Sequence, residues 1–133
     1  METSEKYHRI LAIDDEDCNH QYFQSALRNS RIEIISAKTL AQGREFYDKY
    51  KGEFDFILMD ACVESHQPDS MPLIDYIVKD GYTQGRHIVA ISSSRDYNDI
   101  LMLAGATERV DGKVKAMSLL RRFLRDHYLS LVE

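Results

Sequence analysis

The sequence predicts a three-layer α/β fold, in which a five-stranded parallel sheet is covered by helices on both faces. Short apolar runs rich in β-branched residues alternate along the chain with segments of helical periodicity. The runs are mostly apolar, which is typical of strands that are buried on both faces of a parallel sheet. Because crossovers between parallel strands are right-handed, this alternation restricts the topology to a doubly wound sheet.

The apolar runs are the predicted strands. They comprise residues 10–13, 32–35, 54–59, 87–91 and, as a weaker candidate, 108–110. The first run stops on acid in "ILAIDDED", and the third does so in "FDFILMD". These two strand ends are the first indication of a functional site.

Helical periodicity fills the first two intervals between the strands. The first predicted helix covers residues 18–28, and the second begins after Thr39, a residue suited to capping, and ends before Gly52. The apolar stripe of the first helix comprises Tyr22, Phe23, Ala26 and Leu27. The second helix is expected to bury Leu40, Phe46, Tyr47 and Tyr50.

Three more helices follow in the second half of the chain. Residues 71–79 stop at Asp80-Gly81, residues 96–103 end at the sequence "AGA", and the last helix runs from about residue 114 to residue 131. The third helix carries Leu73, Ile74, Ile77 and Val78. The last one places Met117, Leu120, Leu124, His127 and Leu131 at three-to-four spacing.

Length and composition bound the class of protein. A chain of 133 residues with 44% hydrophobic and 29% charged residues predicts a single globular domain over residues 1–133, without an output domain. The net charge of −5 argues against a nucleic-acid partner, whose phosphates attract basic surfaces. Residues 1–9 lack the apolar core of a signal peptide, and no apolar run is long enough to span a bilayer. Cys18 and Cys62 are not spaced as a metal or redox pair, so we expect a cytoplasmic protein with reduced thiols.

The acids that end the first and third strands form a candidate metal site. All strands of a parallel sheet end at one edge, so Asp14, Asp15 and Asp60 converge if their strands flank the point where the winding reverses. A hard cation such as Mg²⁺ relieves the repulsion between carboxylates, and one carboxylate can then accept a phosphoryl group. Ser92, after the fourth strand, and Lys113, after the fifth, are candidate donors to the phosphate oxygens.

Each of these residues also has an ordinary structural explanation. Asp14 and Asp15 are suited to capping the first helix, and Asp60 alone would be a surface residue at a strand end. Serines such as Ser92 commonly begin loops, and lysines such as Lys113 are common on surfaces. The combination of three acids on two strand ends favours metal binding and a phosphoacceptor at Asp60.

Four segments together resemble the receiver domain of bacterial response regulators. They are "IDDED", "FDFILMD", "VAISSS" and "AGATERVDGK", and the resemblance covers essentially the whole chain. It implies a flavodoxin-like sheet with strand order 2-1-3-4-5 and phosphorylation of Asp60 by a histidine kinase or a histidine phosphotransferase. It also implies Mg²⁺ binding by Asp14, Asp15, Asp60 and the backbone carbonyl of Cys62, with Ser92 and Lys113 reading the phosphate.

The resemblance implies that the protein catalyses its own phosphorylation and dephosphorylation and has no other enzymatic activity. With no output domain expected, signalling would proceed through binding of a downstream protein partner.

Three departures from the receiver pattern keep an alternative open. Residues 62–70, "CVESHQPDS", look like an insertion over the site, since Met-Pro usually follows the phosphoacceptor more closely. Lys113 lies one residue later than expected, with Gly112 at the ungapped position, and Arg109 replaces the aromatic residue that usually moves on activation. The alternative is a phosphorylation-independent pseudo-receiver that acts as an interaction module.

Several other features are weighed against ordinary explanations. Asp15 and Asp17 are spaced like the two acids of haloacid-dehalogenase-type phosphohydrolases, but Cys18 and the absence of a later acidic pair argue against that class. Glu64, His66 and Asp69 are interpreted as solvated loop residues; the alternative is that they cover the site or add a ligand. A basic stripe on the last helix is interpreted as a solvated face rather than a docking surface; it comprises Ser118, Arg121, Arg122 and Arg125.

Overall fold

The structure, a computed structural model, describes residues 8–28 and 31–132, with side chains described up to residue 126. Strands and helices alternate throughout this part of the chain. The strands are β1 (His8–Ile13), β2 (Ile32–Ala37), β3 (Phe56–Met59), β4 (His87–Ala90) and β5 (Glu108–Arg109). The helices are α1 (Asp17–Ala26), α2 (Leu40–Lys49), α3 (Met71–Lys79), α4 (Arg95–Ala104) and α5 (Lys113–Val132). Every strand and helix that the sequence predicts is therefore present.

The five strands form one parallel sheet in the order β2-β1-β3-β4-β5. The predicted α/β class and strand order are confirmed. The winding reverses beside β1, whose neighbours are β2 on one side and β3 on the other. Ile13 lies level with Met59, so the residues after these two strands emerge side by side at the same edge. This register positions the candidate site.

Strand bounds differ from the sequence prediction in every strand: β1 starts two residues earlier and β2 ends two residues later than predicted, and the other three are shorter. β3 starts at Phe56 rather than at residue 54, because the amide of Phe54 bonds to the carbonyl of Gly52 in a turn. β4 ends at Ala90, although the amide of Ile91 still donates to the carbonyl of Met59 over 3.1 Å. β5 has only two residues, and the amide of Val110 continues its pairing with one bond to Ala90.

Two hydrophobic clusters, one on each face of the sheet, form the core. Alternate residues of a strand point to opposite faces, so Leu11 and Ile13 enter one cluster while Ile10 and Ala12 enter the other. The first cluster contains buried residues of α2, α3 and α4, including Tyr47, Leu73, Ile74, Ile77 and Leu101. The second contains buried residues of α1 and α5, including Phe23, Leu27, Met117 and Leu120. Full burial of each large apolar side chain contributes about 1.5–3 kcal/mol, which holds the strand ends in place.

The predicted helix faces are largely correct, with exceptions on α1 and α5. Tyr22 is 36% exposed and lies outside the buried stripe of α1. On α5, Phe123 rather than Leu124 packs against the core, with its ring 4.8 Å from that of Phe56. The side chains of His127 and Leu131 lie outside the described residues.

Two residues adapt α2 to its place beside the site. The hydroxyl of Thr39 accepts a bond from the amide of Gln42 over 3.0 Å, which confirms the predicted cap. Gly43 is buried, and a Cβ atom there would lie 2.9 Å from Cδ1 of Ile13. Gly43 therefore allows α2 to pack closely against the end of β1. No helix in the described part of the chain is both long enough and apolar enough to cross a bilayer.

Candidate functional site

Three carboxylates meet at the carboxyl edge of the sheet. Asp14 and Asp60 follow β1 and β3 directly, and their amides donate to the carbonyls of Ala37 and Ile13 over 3.0 and 3.1 Å. One carboxylate oxygen from each of Asp14, Asp15 and Asp60 lies within 4.8 Å of the others. Neighbouring parallel strands thus bring together Asp14 and Asp60, which are 46 residues apart in the sequence.

The three acids differ in their exposure to solvent. Asp14 is fully buried, Asp15 is exposed, and the side chain of Asp60 is 14% exposed. Burial and the negative charge of Asp14 raise the pKa of Asp60, Lys113 and the amide of Ala61 lower it, and the net effect is a pKa of about 6. Asp60 is therefore a carboxylate that an additional cation would stabilise in its ionised form.

The first turn of α1 holds Asp14 in a fixed orientation. The side-chain amide of Asn19 donates to both carboxylate oxygens over 3.1 and 3.0 Å, and the backbone amide of Glu16 donates to one of them over 2.9 Å. The ring of His20, which is 6% exposed, donates from Nε2 to the carbonyl of Asp14 over 2.7 Å. The sequence analysis did not identify Asn19 or His20. Their proximity to an acid at the start of a helix was the available signal, because helical side chains point back toward the N-terminus.

Lys113 reaches the acids from the opposite side of the cleft. Its Nζ lies 3.5 Å from Oδ1 of Asp60 and 3.8 Å from Oδ2 of Asp14. Gly112 has a φ of +96°, and its amide bonds to the carbonyl of Val110 in a turn that directs the chain into α5. The offset of one residue seen in the sequence is accommodated by this turn, which glycine adopts without strain.

Ser92 lies at the end of β4 and lines the same cleft. It is 7% exposed, and its hydroxyl oxygen accepts a bond from the amide of Ser94 over 3.0 Å. The side chain of Asn98, a fully buried residue of α4 that the sequence analysis did not identify, bonds to both the amide and the carbonyl of Ser92. The hydroxyl of Ser92 is thus presented to the cleft from a fixed backbone.

Residues 62–70 form an ordered wall of the cleft. The carboxylate of Asp69 accepts bonds from the amides of Val63 and Glu64 over 2.8 and 2.7 Å, so it holds the loop in a closed turn. Glu64 in turn accepts a bond from the amide of Leu40 over 2.7 Å, at the first turn of α2. The interpretation as solvated loop residues is confirmed for Glu64, which is exposed, whereas Asp69 is half-buried; both acids also order the backbone.

The remaining residues of the loop face an open cleft of about 490 Å³. Cys62 and the exposed His66 line it beside Asp60, together with Cys18 of α1. His66 consequently borders the site, as one of the two interpretations of the loop anticipates. The thiol of Cys62 has its pKa raised by partial burial and by the neighbouring carboxylates, which keeps it protonated.

Other residues singled out in the sequence lie away from the acids. Arg109 remains exposed and pairs with Asp99 of α4, as expected for a charge that cannot be buried alone. Asp17 pairs with Lys38, which lowers the pKa of Asp17, and it lies outside the acidic cluster. In the basic stripe, whose members are all exposed, Arg121 bonds to the carbonyl of Ala26 at the end of α1.

The comparisons with known proteins agree on the fold. No family model matches the chain, and no curated protein matches it. The chain is similar in structure to the chemotaxis protein CheY4 of Vibrio cholerae, with a TM-score of 0.71 and 16% identity over 88% of this chain and 98% of that one. It is also similar to a response regulator receiver domain protein from Clostridium thermocellum, with a TM-score of 0.68 and 20% identity over 92% and 98%.

A third similar structure is the receiver domain of NtrX from Brucella abortus, with a TM-score of 0.68 and 18% identity over 86% of this chain and 96% of that one. The chain therefore has the fold of response-regulator receiver domains, and it spans nearly the full length of these solved domains.

Proposed function

We propose that this receiver-fold protein accepts a phosphoryl group on Asp60 from a histidine kinase or a histidine phosphotransferase and signals by binding a protein partner in the cytoplasm. One observation carries the proposal. The carboxylates of Asp14, Asp15 and Asp60 lie within 4.8 Å of one another, and Asp15, Asp60 and Lys113 line one open cleft. A nucleophilic carboxylate beside a metal site and a cation is the arrangement that phosphoryl transfer to an aspartate requires.

The donor set fits a magnesium ion. Mg²⁺ prefers hard oxygen ligands, and the acidic cluster supplies three carboxylates within 4.8 Å of one another. We assign Asp14, Asp15, Asp60 and the backbone carbonyl of Cys62 as its ligands. When bound, the ion neutralises the carboxylates and the phosphate oxygens during transfer.

In the proposed reaction, an oxygen of ionised Asp60 attacks the phosphorus of a phosphohistidine. The new O–P bond forms as the P–N bond breaks, and the electron pair of that bond leaves on the imidazole nitrogen. Lys113, 3.5 Å from Asp60, offers a positive charge to one oxygen of the transferred group, and the hydroxyl of Ser92 offers a hydrogen bond to another. The product is an acyl phosphate. It is hydrolysed when water attacks its phosphorus, and the O–P bond to Asp60 then breaks to release the Asp60 carboxylate and inorganic phosphate.

The direct test is incubation of the protein with Mg²⁺ and acetyl phosphate or a phosphorylated histidine phosphotransferase. We expect one phosphoryl group per chain, stable in acid and labile in alkali, and absent from an Asp60→Asn variant. An Asp17→Asn variant is a matched control, because Asp17 is an acid of the same strand-to-helix region that pairs with Lys38 outside the cluster. Absence of label on the wild-type protein, or equal label on Asp60→Asn, would contradict the proposal.

A second candidate is a pseudo-receiver that binds its partner without phosphate. Arg109 favours it, because this residue stays on the surface in a pair with Asp99 instead of providing a movable aromatic side chain. This candidate predicts that partner binding survives Asp60→Ala and that Mg²⁺ leaves the melting temperature unchanged. The dehalogenase-type alternative receives no support from Asp17, which pairs with Lys38.

A further inference from the structure

We propose that Asn98 is a positioning residue that joins Ser92 and the Lys113 turn into one phosphate-reading unit. This inference rests on the proposed function, since it assigns the residue that orders two of the groups facing the phosphate on Asp60. Asn98 touches neither the carboxylates nor the cleft. It acts through the backbone of the residues that do.

The bonding of Asn98 spans the ends of two strands. Its Oδ1 accepts from the amide of Ser92 over 2.9 Å, and its Nδ2 donates to the carbonyl of Ser92 over 2.8 Å. The same Nδ2 donates to the carbonyl of Val110 over 3.1 Å, beyond the end of β5. One side chain of α4 therefore holds the backbone on both sides of the gap between β4 and β5.

The link continues directly to the cation of the site. The carbonyl of Val110 also accepts from the amide of Gly112, in the turn that precedes Lys113. Displacement of Val110 would thus displace the turn from which Lys113 reaches Asp60. Asn98 therefore connects the backbone of Ser92 with the turn before Lys113, because it bonds to both Ser92 and Val110. Ser92 and Lys113 are 21 residues apart in the sequence.

The burial of Asn98 makes its hydrogen bonds difficult to replace. The residue is fully buried and so are its two bonds to Ser92, so solvent does not readily replace it at the amide and the carbonyl of Ser92. A substitution would leave the amide and the carbonyl of Ser92 to find other partners by moving. Small displacements of a positioned group can lower a reaction rate by up to about a hundredfold.

Thr107 provides a matched control within the same pair of strands. Its Oγ1 accepts from the amide of Ile88 over 2.9 Å and donates to the carbonyl of Ile88 over 3.1 Å. Thr107 therefore makes the same paired contact to a β4 residue as Asn98 does, but near the start of β4 and away from the acids. A purely structural role would affect the two positions alike.

The test compares Asn98→Ala, the milder Asn98→Ser and Thr107→Val with the wild-type protein. We expect all three variants to melt at lower temperature. The rate of phosphorylation by acetyl phosphate at saturating Mg²⁺ should fall roughly tenfold or more in both Asn98 variants and stay within about twofold in Thr107→Val. Equal rates in the wild type and Asn98→Ser, or equal losses in the Asn98 and Thr107 variants, would overturn the proposal.

Hydrogen exchange in the unphosphorylated proteins separates this inference from the proposed function. We expect Asn98→Ser to speed amide exchange together at residues 92–94 and 110–113, and Thr107→Val to speed it only near residue 88. Faster exchange at only one of the two loops would overturn the joint role of Asn98, whether or not Asp60 is phosphorylated. A wild-type protein that takes up no phosphoryl group would overturn both proposals, and the exchange data would then report only a structural clamp.

Discussion

Replacement of Asp60 by asparagine removes a carboxylate whose ionisation the fold resists. Burial and the charge of Asp14 raise the pKa of Asp60 from its ordinary value of 3.8 to about 6. A carboxyl group with a raised pKa contributes most to stability where it is protonated, below pH 3.8. That contribution is lost as the pH rises through about 6, because the unfolded chain ionises without penalty.

The size of the effect follows from the difference between the two pKa values. The difference corresponds to about 3 kcal/mol, of which about 2 kcal/mol should be lost between pH 4.5 and pH 7.5. Asparagine at position 60 has no such dependence, since it stays neutral and keeps nearly the same shape. The free energy of unfolding of the wild type should therefore fall by about 2 kcal/mol relative to that of Asp60→Asn over this pH range.

Urea denaturation of both proteins in a chelating buffer measures this difference. Taking the wild type minus the variant at each pH cancels the titrating groups that do not interact with Asp60. Addition of Mg²⁺ at pH 7.5 should stabilise the wild type, by about 2.7 kcal/mol at a hundredfold excess over Kd, and should stabilise the variant less. A pH-independent difference would refute the reasoning, because it would mean that Asp60 is not held in a buried, acidic environment.

Three further substitutions test separate parts of the site. Lys113→Met removes the charge that opposes the raised pKa of Asp60, so the pH midpoint of phosphorylation should move upward and the rate should fall; an unchanged pH–rate profile would contradict this. Gly43→Ala places a methyl group against Ile13. The crowding should outweigh the gain in helix propensity and lower the free energy of unfolding by about 1 kcal/mol. Increased stability in urea would contradict close packing there. Asp69→Ala should cost about 2 kcal/mol and speed proteolysis within its loop, whereas unchanged cleavage would show that the acid does not order it.

The fold could be predicted from the sequence because its signals are local. Uninterrupted apolar runs, capping residues such as Thr39 and helix-ending glycines identify each strand and helix from a few neighbouring residues. The handedness of parallel crossovers then limits how these elements assemble. The position of Asp14 and Asp60 after neighbouring strands follows from the same rules, and their convergence was accordingly expected.

The residues that were missed act through hydrogen bonds to backbone groups of other segments. Asn98 lies on an amphipathic helix where a polar side chain usually faces solvent, and its burial depends on the spacing between the ends of β4 and β5. The ordering role of Asp69 and Glu64 was not predicted, because their partners are backbone amides, which carry no sequence signal. The position of Lys113 one residue later than in the receiver pattern suggested that it would miss Asp60. The turn at Gly112, with its positive φ, brings Lys113 to Asp60 all the same.

The most direct test of the central claim is a crystal structure of the protein with Mg²⁺ and beryllofluoride. We expect the fluoride complex on the carboxylate of Asp60 and one Mg²⁺ ion bound by Asp14, Asp15, Asp60 and the carbonyl of Cys62. Lys113 and Ser92 should contact the fluorine atoms. An unmodified Asp60, or an ion bound away from these carboxylates, would contradict the assignment of this cleft as a phosphorylation site.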